Sequence, residues 1–408
     1  MTDSPSLILV GLEVGTSKVC AVVGELNAEG GLSIIGVGQA RSRGVRKGEV
    51  VDAIAASEDI RDAIAEAEQM ANVEVNAVYL GVTGAHIRGF NNRGRHNIVP
   101  PDRGISEADA QAVVRNAKAV NLPAHHHAIH VVRQHFLVDD QDGVLNPVGM
   151  LGAQLEVDVH VVYGLYNRLQ NPIRAVRALQ LDVPAIVFNG IASALAVLTP
   201  QDKELGALVI DLGAGVTDYV VYAGGIVQHT GVLAVGGDHV TNDLACGLKV
   251  PMGRAEELKI QHGSALVDSS VKGQTVNLVN QLGLPERSVN LEHLRRIMSV
   301  RLEEAFQIIA EELDAAGALQ DLRAGVFLCG GGARTPEIDK LAGRILGLPV
   351  TIARTQSISG LVSALDQPEF ATGIGLVKFG SYQQELRSER LSLGSRLRAT
   401  LSHVLQLS

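Results

Sequence analysis

The chain has 408 residues, 46% of them hydrophobic and 3% aromatic, with no tryptophan and a formal net charge of −9. That length exceeds what a single hydrophobic core serves, so two domains or two halves of one molecule are expected. The acidic balance and the scarcity of aromatic rings argue against a general nucleic-acid binder.

Three distant cysteines, Cys20, Cys246 and Cys329, fit a reducing compartment rather than a disulfide framework or a metal cluster. No basic segment with a long apolar core opens the chain, and no apolar run approaches the ~18 residues that span a bilayer. A cytosolic protein, or one attached to a membrane from the cytosolic side, is expected.

Residues 7–12 and 19–26 read as strands joined by the turn "EVGTSK", and a third strand follows at 32–38. "GEVVDAIAASEDIRDAIAEAEQMA" has helical periodicity, with Ile54, Ile60, Ile64 and Ala67 on or near one face. "AVYLGVTG" is a short buried strand. Residues 84 to about 160 read as a small inserted α+β unit. It holds a helix at 106–119 opened by the capping-box pattern "SEAD", the strands "AIHVVRQHFLVDD" and "QLEVDVHVVYGL", and a turn-rich loop, "DQDGVLNPVGMLGA".

His125, His126, His127 and His130 in "HHHAIH" invite a metal reading. Adjacent side chains diverge on any regular element, so a solvated histidine-rich turn is favoured. A helix at 168–180, the strand "PAIVFNG" and the helix "IASALAVL" follow. A second hairpin begins at 207, and helices are expected at "GGDHVTNDLACGL", "GRAEELKIQHG" and 291–315. The strand "AGVFLCGGG" runs into a helix at 336–346 with Pro336 in its first turn. "FATGIGLVKFG" is a small-residue helix, and beyond residue 380 the composition turns polar.

Two stretches share one plan. "LILVGLEVGTSKVCAVVGEL" and "LGALVIDLGAGVTDYVVYAGG" both run strand, acid, glycine turn, strand. Turns of glycine and small polar residues present backbone N–H groups that can nest a phosphate. In the first, Gly15 permits the bend and Thr16, Ser17 and Lys18 can add donors; in the second, Gly213, Gly215 and Thr217 do the same. Asp211 ends its strand facing the same space, and a carboxylate beside phosphates makes sense with a divalent cation such as Mg²⁺. "LCGGGARTPEI" adds a glycine-rich junction across which a nucleotide can lie. Neither a P-loop nor a strand–GxGxxG–helix unit is present.

These segments, with "SRGVRKGEVVD", "VTGAHIRGFNNRG" and "VGGDHVTNDLACGLKVPMGRAEELKIQHG", resemble the actin-like ATPase superfamily and, more narrowly, the bacterial cell-division family FtsA, over residues 7 to 380. The resemblance implies an α/β fold: an actin-like two-lobed fold with duplicated βαβ halves and an inserted small α+β subdomain. It implies a first lobe at 1–83, 163–195 and 365–385, an insert at 84–162, a second lobe at 196–364, and a linker with an amphipathic helix at 386–408.

It further implies a cleft for ATP and Mg²⁺. Glu13, Gly15, Thr16, Ser17 and Lys18 map to its first phosphate loop. Asp211, Gly213, Gly215 and Thr217 map to the second, and Gly330, Gly331 and Gly332 to the adenosine loop. Glu257 and Lys259 flank base and ribose. Asp211 and Glu13 are the acids of the site, with Asp211 weighted above Glu13 as the metal carboxylate. Asn189 stands where some relatives carry an acid. No general base stands out, which points to slow hydrolysis at most, or to ATP as a conformational ligand.

The helix at 291–315 carries Arg295, Arg296 and Arg301 near Met298. An amphipathic helix with a solvated face explains this pattern, as does a docking surface for an acidic, apolar peptide. The resemblance implies the C-terminal peptide of the tubulin-like protein FtsZ, and a homo-polymer of the chain itself. In the last 18 residues, Leu393, Leu397, Leu401, Val404, Leu405 and Leu407 fall within an arc of roughly 160° at about 100° per residue, interrupted by Thr400 and edged by Arg396 and Arg398. Such a helix after a polar stretch suits a membrane surface. The reading is a peripheral protein of the cytoplasmic face at the division site. The alternatives are an actin-like adaptor of pilus or secretion machinery and a small-molecule kinase of the same superfamily.

Overall fold

A computed structural model describes residues 6–27, 29–279, 285–320, 322–355, 359–360 and 366–391. The expected membrane helix, with Leu393 to Leu407, lies outside the described residues.

The chain opens with β1 (Leu7–Val14), β2 (Lys18–Leu26) and β3 (Leu32–Arg41), then a small ribbon of β4 (Val45–Arg46) and β5 (Glu49–Val50), helix α1 (Ala53–Ala71) and β6 (Tyr79–Val82). The insert holds β7 (Arg88–Asn97), α2 (Glu107–Lys118), β8 (His126–Val138), β9 (Gln141–Val144) and β10 (Gln154–Leu165). Next come α3 (Tyr166–Arg177), β11 (Ile186–Phe188), α4 (Asn189–Val197) and α5 (Pro200–Leu205). The second lobe contains β12 (Ala207–Leu212), β13 (Thr217–Ala223), β14 (Ile226–Leu233), α6 (Gly237–Leu248) and α7 (Met252–His262). It continues with β15 (Thr275–Val279), β16 (Pro285–Asn290), α8 (Leu291–Ala315), β17 (Gly325–Cys329), α9 (Ile338–Leu346) and β18 (Val350–Ile352). The chain then returns to the first sheet through β19 (Ser359–Gly360) and ends in α10 (Ala371–Leu391).

The two large sheets have one topology. The order β3-β2-β1-β6-β11 in the first matches β14-β13-β12-β17-β18 in the second, with two antiparallel and then two parallel pairings in each. Residues alternate between faces along each strand. Val10, Leu12 and Val14 therefore pack outward on α1 and α3, and Leu208, Ile210 and Leu212 on α8 and α9. Leu9, Cys20, Val209 and Val220 face inward on a shared layer built by α4 and α10. That alternation puts Glu13 and Asp211 on the two inner faces, at the open ends of their strands.

Local sequence accounts for the element ends. The Asp52 side chain accepts the N–H groups of Ile54 and Ala55 at the start of α1, and Asn72 closes it in a left-handed conformation. Ser106 and Asp109 form the capping box that starts α2. Some expectations need correction. Ile54 is 76% exposed, because at about 100° per residue it lies roughly 120° round the helix from Ile60, whereas Ile60, Ile64 and Ala67 are buried. The turn-rich loop after β8 contains β9. Pro336 precedes α9 rather than opening it: a 3-10 turn at Gly331–Arg334 and Glu337 in the left-handed region intervene. The segment at 386–391 continues α10, whose Tyr382 and Leu386 pack on the central core, and Ser359–Gly360 pairs with the first sheet rather than the second.

The insert is tied to both lobes. Phe188 N–H donates to His130 Nε2 at 2.9 Å. Gln134 Nε2 donates to Val227 O at 2.6 Å, and the ring of His160 lies 2.9 Å from Thr230 Oγ1 on β14. Burial pushes His130 and His160 down to about 3, so both are neutral. His125 and His127 are exposed while His130 is buried, so the histidine run diverges.

Candidate functional site

The two hairpins close identically. Gly15 N–H donates to Lys18 O and Gly213 N–H to Val216 O, each at 3.0 Å. Their tips meet. Gly48 N–H donates to Thr16 Oγ1 at 2.9 Å, and a Cβ on Gly215 would stand 2.4 Å from that same oxygen. Ser17 is exposed at the first tip.

Behind the tips lies a buried acid cluster. Asp211 Oδ2 accepts from Ser193 Oγ at 2.6 Å and Thr372 Oγ1 at 2.7 Å, hydroxyls delivered by α4 and α10. Burial raises the Asp211 carboxyl, and these two donors oppose the rise. Asp218 sits opposite Asp211 in the β12–β13 register and accepts from Thr83 Oγ1 of the first lobe. Burial, with Asp211 alongside, raises Asp218 well above the carboxylate range. Glu13 is pushed up to about 7, chiefly by burial, with Lys18 opposing and Asp211 reinforcing.

Among the described residues, Glu13 Oε2 and Asn189 Oδ1 are buried with no hydrogen-bond partner. Glu13 pairs in parallel register with Gly81, so the two share a sheet face, and Asn189 Oδ1 lies 2.6 Å from where a Gly81 Cβ would stand. The two orphan oxygens therefore belong to one wall of the cleft. A buried acceptor without a donor costs free energy that water or a hydrated cation recovers. Gly330 crosses beneath Asp211 with φ +79, where a Cβ would come within 2.3 Å of Asp211 Oδ1, and Gly331 faces open space. The arrangement offers backbone donors, carboxylates and a glycine strip.

Not every expected residue points there. Thr217 lies on the opposite face of β13 by strand alternation, and its hydroxyl donates to Val235 O at 2.8 Å. Lys18 Nζ donates to Glu369 O at 2.9 Å and lies over the Phe370 ring. Lys259 reaches Gly237 O and Thr241 Oγ1 at the start of α6, while Glu257 is half exposed and pairs with Arg254. Of the residues brought in, Asp218 carried a signal in "DLGAGVTD", two positions before the inward Val220. Ser193, Thr372 and Thr83 carried none, because only chain packing delivers them.

On α8, Met298 is 1% exposed and belongs to the core between α6, α7 and α8, so it is no contact residue. Arg295 pairs with Asp268, and Arg301 with Asp243 and Glu304. Arg296 is exposed and, among the described residues, has no ion-pair partner; Val300, one turn on, is 57% exposed.

Residues 208–375 match the family model for cell division protein FtsA, and residues 84–163 match the model for the SHS2 domain inserted in FtsA. The chain is 37% identical over 377 residues to the cell division protein FtsA of Pseudomonas aeruginosa, covering 92% of this chain and 90% of that one. It is 35% identical over 381 residues to FtsA of Escherichia coli K12, covering 91% and 90%. Among solved structures, a PilM-PilN type IV pilus biogenesis complex aligns with a TM-score of 0.64 at 17% identity, over 92% of this chain and 99% of that one. MreB5 of Spiroplasma citri bound to ADP aligns with a TM-score of 0.53 at 16% identity, over 95% and 99%. These two likenesses concern the fold, which is actin-like with an SHS2 insert.

Proposed function

Because this chain belongs to the FtsA cell-division family, we propose that it is an actin-like ATP-binding protein that tethers the FtsZ polymer to the cytoplasmic membrane and self-assembles under nucleotide control. The observation that carries the nucleotide part is the pair of glycine hairpins meeting tip to tip in front of buried acids. Magnesium keeps most of its waters and takes one or two carboxylates. Asp211, with the orphan oxygens of Glu13 and Asn189 beside the cleft, suits that demand. The turns at Gly15–Lys18 and Gly213–Gly215 would hold the phosphates, and Gly330–Gly332 the nucleoside, with Glu257 and Lys259 nearby. The bound group would supply the charge that draws the two lobes onto one ligand. Hydrolysis is at most slow, since no general base is identified.

The FtsZ C-terminal peptide is assigned to the outer face of α8, with the exposed Arg296 as its cation and Arg295 and Arg301 beside it. Arg296→Glu is expected to weaken a fluorescent FtsZ-tail peptide about threefold or more at low salt, where exposed charges count most, and to leave nucleotide affinity unchanged. An unchanged peptide affinity moves the docking surface elsewhere.

The membrane contact is assigned to Leu393, Leu397, Leu401, Val404 and Leu405, flanked by Arg396 and Arg398. Without tryptophan or phenylalanine the helix is a weak single anchor, so binding becomes firm when several copies assemble. Removing residues 392–408 leaves α10 whole. The truncated chain is expected to stay in the supernatant with anionic liposomes, with or without FtsZ, while still binding ATP. Leu397→Glu should act likewise. Pelleting of the truncated chain at the full-length level would remove the tether.

A further inference from the structure

Lys47 stands at the tip of the β4–β5 ribbon with φ +51, followed by Gly48 at φ +75. Two successive left-handed residues make a turn of the type that favours Asn or Gly at its first position, because a Cβ there crowds the following carbonyl. Lysine is a costly choice, and non-glycine residues held in that region cluster at functional sites.

Its surroundings are specific. The ribbon lies against both hairpins where their tips meet. Gly48 N–H binds Thr16 of the first, and a Cβ on Gly215 of the second would stand 2.8 Å from Lys47 Cα and 3.0 Å from Lys47 N. The backbone of the Lys47–Gly48 turn therefore touches both hairpins, through Gly48 on the first and Lys47 on the second. Its side chain is exposed, and among the described residues its ammonium has no hydrogen-bond or ion-pair partner. The nearby Glu49 is taken by Arg168 at 2.6 Å. Across the cleft, His239 in the first turn of α6 is held below its ordinary range by burial and then by the charge of Lys47.

We infer that Lys47 is the first lobe's cation for the outermost phosphate of a nucleoside triphosphate, an inference that rests on the nucleotide-binding reading above. The hairpin turns meet the phosphate chain with neutral N–H groups. Lys47, on the solvent side of their junction, meets its charged end. It thereby discriminates triphosphate from diphosphate.

Calorimetric titration of the full chain with Mg·ATP and Mg·ADP tests this. Lys47→Asn keeps the left-handed turn and removes the charge; Lys47→Arg keeps the charge. Lys47→Asn is expected to bind Mg·ATP about tenfold or more weakly and Mg·ADP within about threefold of wild type, a size set by one charge-assisted hydrogen bond. Lys47→Arg should stay within about threefold for both. The thermal midpoint of ligand-free Lys47→Asn should equal or exceed that of wild type, which separates a lost contact from a damaged turn. Equal ATP affinity in Lys47→Asn and wild type, or equal losses for ATP and ADP, overturns the inference. A wild-type chain that binds neither nucleotide removes the reading beneath it as well.

Discussion

Asp211→Asn is expected to lower affinity for Mg·ATP by about 100-fold or more while leaving the ligand-free chain at least as stable as wild type. The first effect follows from removing the carboxylate best placed for the metal, since interactions with charged groups contribute about 1.5–3 kcal/mol each. The second follows from burial. The carboxylate is 7% exposed, and its pKa is raised because the site disfavours the charge. An amide oxygen still accepts from Ser193 and Thr372. Titrations with magnesium and with a chelator check the metal role. Without magnesium the two proteins should differ by less than about threefold, on the scale of a single neutral hydrogen bond. Unchanged affinity with magnesium present would falsify the assignment.

A pH series gives a second readout. Glu13 titrates near 7 in the fold against an ordinary value of 4.5, so its folded state holds the proton longer. The stability it confers is full below about pH 4.5 and is lost as pH rises through 7. Asp211→Asn removes one charge that raises Glu13, so this loss should shift to lower pH.

Gly375→Leu is expected to destabilise the chain by about 4 kcal/mol or more, the range of severe core disruption. Helices α4 and α10 cross so closely at this point that a Cβ on Gly375 would stand 1.7 Å from the Ala192 carbonyl oxygen. The obstacle is backbone, so no rotamer change relieves it. All nine residues of α4 are buried, which leaves the helix nowhere to move. The same crossing aims Ser193 and Thr372 at Asp211, so residual folded protein should also bind ATP poorly. Denaturant unfolding of the ligand-free chain checks the first effect. An unfolding free energy within about 0.5 kcal/mol of wild type, the size of an ordinary surface change, would mean the helices do not pack this way.

Most of the strand and helix order was legible, because period-2 and period-3.6 patterns are local. The 291–315 helix, the twin hairpins and the insert all lie where patterning puts them, and Asp211 and Glu13 were readable as strand-end acids. The errors fall where patterning is silent. Met298 has the same apolar signature whether it faces a partner or a core, and the packing of α6 and α7 on α8 decides between them. Thr217 and Asp218 are adjacent, and only the register of β13 tells which faces the cleft. By itself the sequence determined the duplicated acid-glycine hairpins, the small-residue helices and the inserted unit, because each is specified by neighbours in the chain. Only the tertiary structure decided which acids share a buried cluster, that Ser193 and Thr372 serve Asp211, that Thr83 crosses to Asp218, and that Lys47 stands where both hairpins meet. Those relations join residues far apart in the chain, Ser193 and Thr372 being 179 positions apart, and no local propensity encodes them: they exist only once two sheets have closed on a shared helical layer.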